Sequence, residues 1–261
     1  MRNCLLGSLV AVSLVLSFSA TAFAQTKQMA EPAKAQPSSQ VPDLSGVWMR
    51  DAPPATGTQY WVMKFNLEEP PMTAWGLEQF KTRKSSFGDH PYGIEETNDP
   101  VLRGCFPPGV PRVYLHPFPF QFVQAPDEVV MLFEVDSLRR QIYTDGRGHD
   151  TALVPLWMGD SIGHWEGDTL VVDTVNFNDK TWVDRIGHPH SDQLHVVERF
   201  RRTAHDHLVD DITIEDAKAY TKPWTTRLEF KLQPTWRLTE QFCEDYDSFK
   251  PLEEKEIKPV K

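Results

Sequence analysis

Residues able to move protons or bind metal crowd into one stretch, Gly159 to Arg202, which holds His164, His188, His190 and His195, four of the nine histidines. Glu166, Asp168, Asp179, Asp184, Asp192 and Glu198 lie among them, and the densest part is His188-Pro-His190-Ser-Asp-Gln-Leu-His195-Val-Val-Glu198. Two chemistries suit it. In the first, Asp192 orients His190 and His195 supplies a second acid or base; an imidazole with an ordinary pKa of about 6.5 exchanges protons near neutrality. In the second, His188, His190 and His195 share a metal, much as a cupin-like His-x-His does with a following Glu. Here the acid comes eight residues after His190. On an extended strand His195 and Glu198 also point to opposite faces, because three is an odd offset. The metal-free reading is preferred, with His190, Asp192 and His195 as the catalytic set and no cofactor. The structural alternative is a polar loop in which His190 and Asp192 only cap turns.

Gly159-Asp-Ser161-Ile-Gly163 fits the G-x-S-x-G nucleophile elbow, which needs a strand, a sharp turn and then a helix. The following His-Trp-Glu-Gly-Asp-Thr-Leu-Val-Val reads as a hairpin, so a serine nucleophile is not supported. Tyr143-Thr-Asp-Gly-Arg147-Gly-His149 is a turn carrying a guanidinium and an imidazole. Arg147 either clamps a substrate carboxylate or braces Asp145 by paired hydrogen bonds. With His149 and the rim aromatics Trp157 and Trp182 it forms the expected ligand-binding set. Phosphate loops, H-E-x-x-H and dinucleotide fingerprints are absent.

The elements that must position these groups read as strands. Phe120–Val123 and Val129–Phe133 flank an Ala-Pro-Asp-Glu turn, and Gln141–Thr144 runs into Asp145-Gly146. Ile162–Trp165 and Thr169–Val175 enclose Glu166-Gly167-Asp168, and Leu194–Arg201, Leu208–Ile214, Arg227–Leu232 and Trp236–Phe242 continue the series. One helix is expected over Thr73–Lys84, with Trp75, Leu77 and Phe80 on a shared face. Strands at such spacing imply an all-β fold, an antiparallel meander closed into a barrel or packed as a sandwich. Phe118, Phe120 and Phe122 alternate, and a wide barrel lined this way would hold an apolar or aromatic ligand.

The ends and the composition bound the setting. Residues 1–24 read as a secretory signal peptide with Arg2 as its charged start, an apolar run from Leu5 to Phe18, and cleavage after Ala24. Residues 25–42 are an expected flexible leader, 43–249 a single β-rich domain and 250–261 a loose tail. Export to the periplasm or beyond follows, and loss of Arg2 moves the net charge from −10 to −11. An acidic chain without a long basic cluster excludes nucleic acid as an expected partner, and no run after the leader is long enough for a membrane helix. Cys105 and Cys243 remain after cleavage and form one disulfide in an oxidising compartment.

PDLSGVW near Asp43, YTDGRGH, GDSIGHWEGDTLVVDTVNFND and HPHSDQLHVVERFRR resemble a widespread, uncharacterised family of exported bacterial proteins. That resemblance spans most of the mature chain and implies no assigned activity or catalytic residue. Gly46-Val-Trp48 is also similar to the Gly-x-Trp that opens lipocalin barrels, in agreement with the barrel reading. Together these features predict an exported, metal-independent lyase, isomerase or hydrolase acting on a hydrophobic or aromatic small molecule. A non-catalytic lipocalin-like binding protein and a metal-dependent barrel enzyme are the alternatives.

Overall fold

A computed structural model describes residues 41–51, 63–66 and 68–243. The expected signal peptide, nearly all of the leader, and the tail lie outside the described residues. Nine strands close into a barrel in which each strand lies beside its neighbours in sequence. They are β1 (Gly46–Arg50), β2 (Phe120–Gln124), β3 (Glu128–Phe133), β4 (Arg139–Tyr143), β5 (Asp160–Glu166), β6 (Thr169–Val175), β7 (His195–Ala204), β8 (His207–Glu215) and β9 (Trp224–Leu232). Closure through β1 and β9, which pair Trp48 with Leu232, leaves no open edge. The meander is antiparallel except at β4–β5, which run parallel and share only two register positions. A parallel pair needs a crossover. Here that crossover is the chain from 144 to 159, which returns to the start of β5.

Alternation fixes what faces inward. Val196, Glu198 and Phe200 of β7, Leu208, Asp210, Ile212 and Ile214 of β8, and Trp224, Thr226, Leu228 and Phe230 of β9 are all buried. Between them the strands present residues such as Arg199, Asp211, Arg227 and Glu229, the first three in exposed ion pairs. Phe120 and Phe122 do point inward, but they meet other rings rather than a void. Phe122 packs on Phe200 at 5.3 Å and Phe120 on Phe230 at 5.1 Å. Tyr114 enters from a 3-10 turn, Arg112–Leu115, and lies 5.9 to 6.4 Å from Phe120, Phe133, Phe200 and Phe230. The aromatic lining thus packs on itself as a core, with edge-to-face contacts of the favoured kind.

The long connection between β1 and β2 supplies this plug and the helices. α1 (Ala74–Thr82) begins at Thr73, whose side chain accepts from the Gly76 amide while donating to the Lys218 carbonyl. Gly76 is its buried residue, because a Cβ there would stand 2.4 Å from the Ala219 carbonyl oxygen. The helix therefore approaches the 219 turn through its backbone at Gly76, while Trp75 and Phe80 pack inward and Leu77, expected on the inner face, is 43% exposed. α2 (Pro100–Gly104) is capped by Asp99 and ends at Cys105. The expected strand Trp236–Phe242 is not formed; only an isolated bridge joins Gln241 to Val135. Cys105 and Cys243 stand as a disulfide-capable pair, with Cα atoms 5.4 Å apart.

Candidate functional site

The parallel crossover creates the site. It carries His149 across the outside of β5 and β6, and there His149 Nδ1 meets Asp160 at 2.9 Å and Nε2 meets Asp173 at 3.0 Å. The other oxygen of Asp173 takes His195 Nε2 at 3.1 Å, and His195 Nδ1 lies 3.4 Å from Glu215. Register explains the row: Asp173 pairs with Ile162 on β5 and Val197 on β7, and His195 faces Glu215 across β7–β8. Carboxylate and imidazole thus alternate five groups long. Burial works against a charge on His149, but the hydrogen bonds to Asp160 and Asp173 outweigh it and raise its pKa. Partial burial likewise opposes the charge on Asp173, and the two imidazoles bring its pKa down nonetheless.

Asp160 also lines a cleft of about 400 Å³ beside the β4–β5 seam. Leu153, Leu156, Trp157 and Met158 from the crossover form one wall, Leu138 and Tyr143 the other. Trp157 packs against Phe106, the ring centroids 5.0 Å apart and the planes tilted by 40°. The floor is reached by Arg140 and Ser161, which belong to a network inside the barrel. Arg140 Nε donates to Ser161 Oγ at 3.0 Å, Nη2 to Thr174 Oγ1 at 2.8 Å, and Nη1 to Tyr114 Oη at 2.8 Å. Its two terminal nitrogens also grip both carboxylate oxygens of Glu198, and Tyr114 Oη donates to Glu198 Oε1 at 2.7 Å. Burial opposes the charge of Arg140, yet the Glu198 carboxylate holds its pKa above the ordinary value. Asp210 lies beside this pair, buried, and among the described residues only the Arg199 backbone supports its carboxyl group. Burial, then the Glu198 charge, pushes its pKa well above the ordinary carboxylate range, against the opposing pull of Arg140.

Several expected residues fall elsewhere. Asp192 is exposed and does not pair with His190. His190 is buried, its Nε2 on the Thr181 hydroxyl at 2.9 Å and its Nδ1 on the Ser191 carbonyl at 3.0 Å; burial lowers its pKa. The reason is local: Ser191 turns inward to give both its amide and its hydroxyl to Asp216, which leaves Asp192 outside. His188, His190 and His195 are each held by different partners and do not form the shared metal shell of the alternative reading; among the described residues no three His, Cys, Asp or Glu gather at metal-binding geometry. Arg147 braces Asp145 and lies over the Tyr143 ring at 4.0 Å, so it is committed to its own turn. Trp182, expected at a rim, is 1% exposed. Ser161 sits within a strand, and its motif glycines serve packing. At Gly159, with φ +71°, a Cβ would stand 2.6 Å from Thr174; at Gly163 it would stand 2.8 Å from Ile142.

His188 is a buried clamp. Its Nδ1 meets Asp184 at 2.5 Å, its Nε2 meets Glu69 at 2.6 Å, and its ring stacks on Phe80 of α1 at 4.7 Å. Burial disfavours its charge, but Asp184 and Glu69 hold its pKa up to about 9, against 6.5 for the free group. A raised folded-state pKa stabilises the fold fully below pH 6.5, and that contribution is lost as pH rises through about 9. Urea midpoints measured from pH 6 to 10 are expected to fall across that window. His188→Gln should flatten the fall; an equal slope in the variant would refute the assignment.

The chain matches no known family model, and no curated protein matches it.

Proposed function

We propose that the protein is an exported enzyme that performs metal-independent acid–base chemistry, as a lyase, isomerase or hydrolase, on a hydrophobic or aromatic small molecule bound in the β4–β5 cleft. One observation carries this reading: an apolar cleft of small-molecule size shares Asp160 with His149, at the end of the five-group carboxylate–imidazole row. Clefts of about 300–1,000 Å³ with a few convergent polar groups are the usual form of such sites. His149 is the proton-transfer group, acting through the Asp160 carboxylate that it shares with the cleft, and its hydrogen bonds to Asp160 and Asp173 raise its pKa above that of a free imidazole. Asp173 is a positioning residue that joins His149 to His195, so His195 takes part through Asp173 rather than beside His190. Trp157 offers a face for an aromatic ring. The acidic net charge of the chain fits a small-molecule partner better than nucleic acid.

A lipocalin-like binding protein for an apolar ligand is the second reading, favoured by the engagement of both ring nitrogens of His149. One experiment separates them. Small-molecule extracts of the native host are incubated with the protein, with His149→Gln and with Leu153→Arg, which places a charge in the cleft wall, and followed by mass spectrometry. Consumption of a hydrophobic or aromatic compound, slowed at least tenfold by His149→Gln and abolished by Leu153→Arg, is expected. A compound that is retained by the protein but returned unchanged supports binding alone. Consumption indifferent to both variants would sink the cleft assignment.

A further inference from the structure

Trp182 lies in the connection between β6 and β7, and the guanidinium groups of Arg83 and Arg112 stand over its ring, 5.5 and 5.4 Å from the centroid. Arg112, in the 3-10 turn that carries Tyr114 into the barrel, is 1% exposed. Asp99 pairs with it through Nη2 at 2.5 Å, and the other oxygen of Asp99 is taken by the Val101 amide that opens α2. Asp184, in the same connection as Trp182, is committed to His188 and to three backbone amides.

Among the described residues, five nitrogens of this cluster are nevertheless buried without a hydrogen-bond partner: Arg112 Nε and Nη1, Arg83 Nε, Trp182 Nε1 and His116 Nε2. Burial holds His116 neutral, and Arg185 and Arg112 push its pKa down further. A buried donor left unpaired is costly, and folded proteins leave only a few per hundred residues. Stacking on the indole satisfies the face of a guanidinium and not its N–H groups. Arg112 and Arg83 also draw on the same Asp99 carboxylate, Arg112 by direct contact and Arg83 at longer range. A water would satisfy hydrogen bonds without meeting the guanidinium charge; an anion does both.

We propose that Arg83, Arg112 and Trp182 form a binding site for an oxyanion, the carboxylate or phosphate group of a small molecule. None of the three lines the β4–β5 cleft, so this site is separate from the one proposed for turnover. The probes are inorganic phosphate, sulfate and acetate, titrated calorimetrically against chloride at matched ionic strength. Saturable binding of at least one is expected, phosphate against acetate telling a phosphoryl from a carboxylate preference. Arg83→Gln, at a half-buried residue whose guanidinium feels Asp99 without a direct salt bridge among the described residues, should weaken binding at least tenfold while the melting temperature in chloride stays within a few degrees. Trp182→Phe, which keeps a ring and removes the N–H, should weaken it about threefold or more, and Leu153→Arg in the cleft should leave it unchanged. No saturable binding of any of the three anions, or affinity unaltered in both Arg83→Gln and Trp182→Phe, would overturn the site.

Discussion

Glu198→Gln is expected to destabilise the barrel by about 3–5 kcal/mol, because it strands the Arg140 guanidinium in the core without its counter-charge. Both side chains are almost wholly enclosed, at 0 and 1% exposure, so solvent cannot take over the lost contacts. The neighbouring Asp210 sharpens the expectation. Glu198 faces Ile212 and Phe200 faces Asp210, which sets the two acids diagonally on one inward face. Burial and the charge on Glu198 favour the protonated form of Asp210 in the native protein. Removing that charge lets Asp210 ionise more readily and partly replace the missing partner of Arg140. Asp210→Asn alone replaces an acid held toward its protonated form by a neutral amide and should change stability by no more than about 1 kcal/mol. In the Glu198→Gln background the same change removes the substitute anion, so the double variant should lose more than the sum of the singles. Urea denaturation of the four proteins gives the coupling directly. Simple additivity would show that Asp210 does not stand in for Glu198.

This core network was open to a period-2 reading, since Glu198 lies between Val196 and Phe200, and Asp210 between Leu208 and Ile212, all on inward positions. Charged residues at apolar parity are the signal. The same parity correctly separates His195 from Glu198: Glu198 is buried inside the barrel, and His195 stands outside with Asp173 and Glu215. Most strand positions were legible for the same reason, because tight turns such as Glu166-Gly167-Asp168 fix both hairpin and register. The partners of His149 were not. Its contacts with Asp160 and Asp173 depend on the β4–β5 pair being parallel, and only two register positions record that choice. Nor does local pattern reveal that Ser191 turns inward to Asp216, 25 residues away, which separates His190 from Asp192. Arg140 gives no such signal in the sequence, because Arg139 beside it is charged too; alternation exposes the first arginine and buries the second.

Loss of the cysteine pair is the other large expected effect. Cys105 and Cys243 are 138 positions apart, and β2 through β9 lie between them. A cross-link around so long a loop restricts the unfolded chain strongly; chain-entropy reasoning puts the stabilisation at about 5 kcal/mol, and measured cases commonly reach about 2–4 kcal/mol. The Cys243 amide donates to Asp136 at 2.7 Å, and the Asp136 amide donates to the Gln241 carbonyl at 2.7 Å. A cross-link acting only on this strap would affect local opening, not the global unfolding free energy. Because the closed loop contains eight of the nine strands, the effect should instead appear in global unfolding. The double variant Cys105→Ser/Cys243→Ser is therefore expected to unfold at lower urea by about 2–5 kcal/mol, with a larger m-value as its unfolded chain expands. Unchanged global stability together with faster proteolysis confined to the segment after Leu232 would place the cross-link on the strap alone.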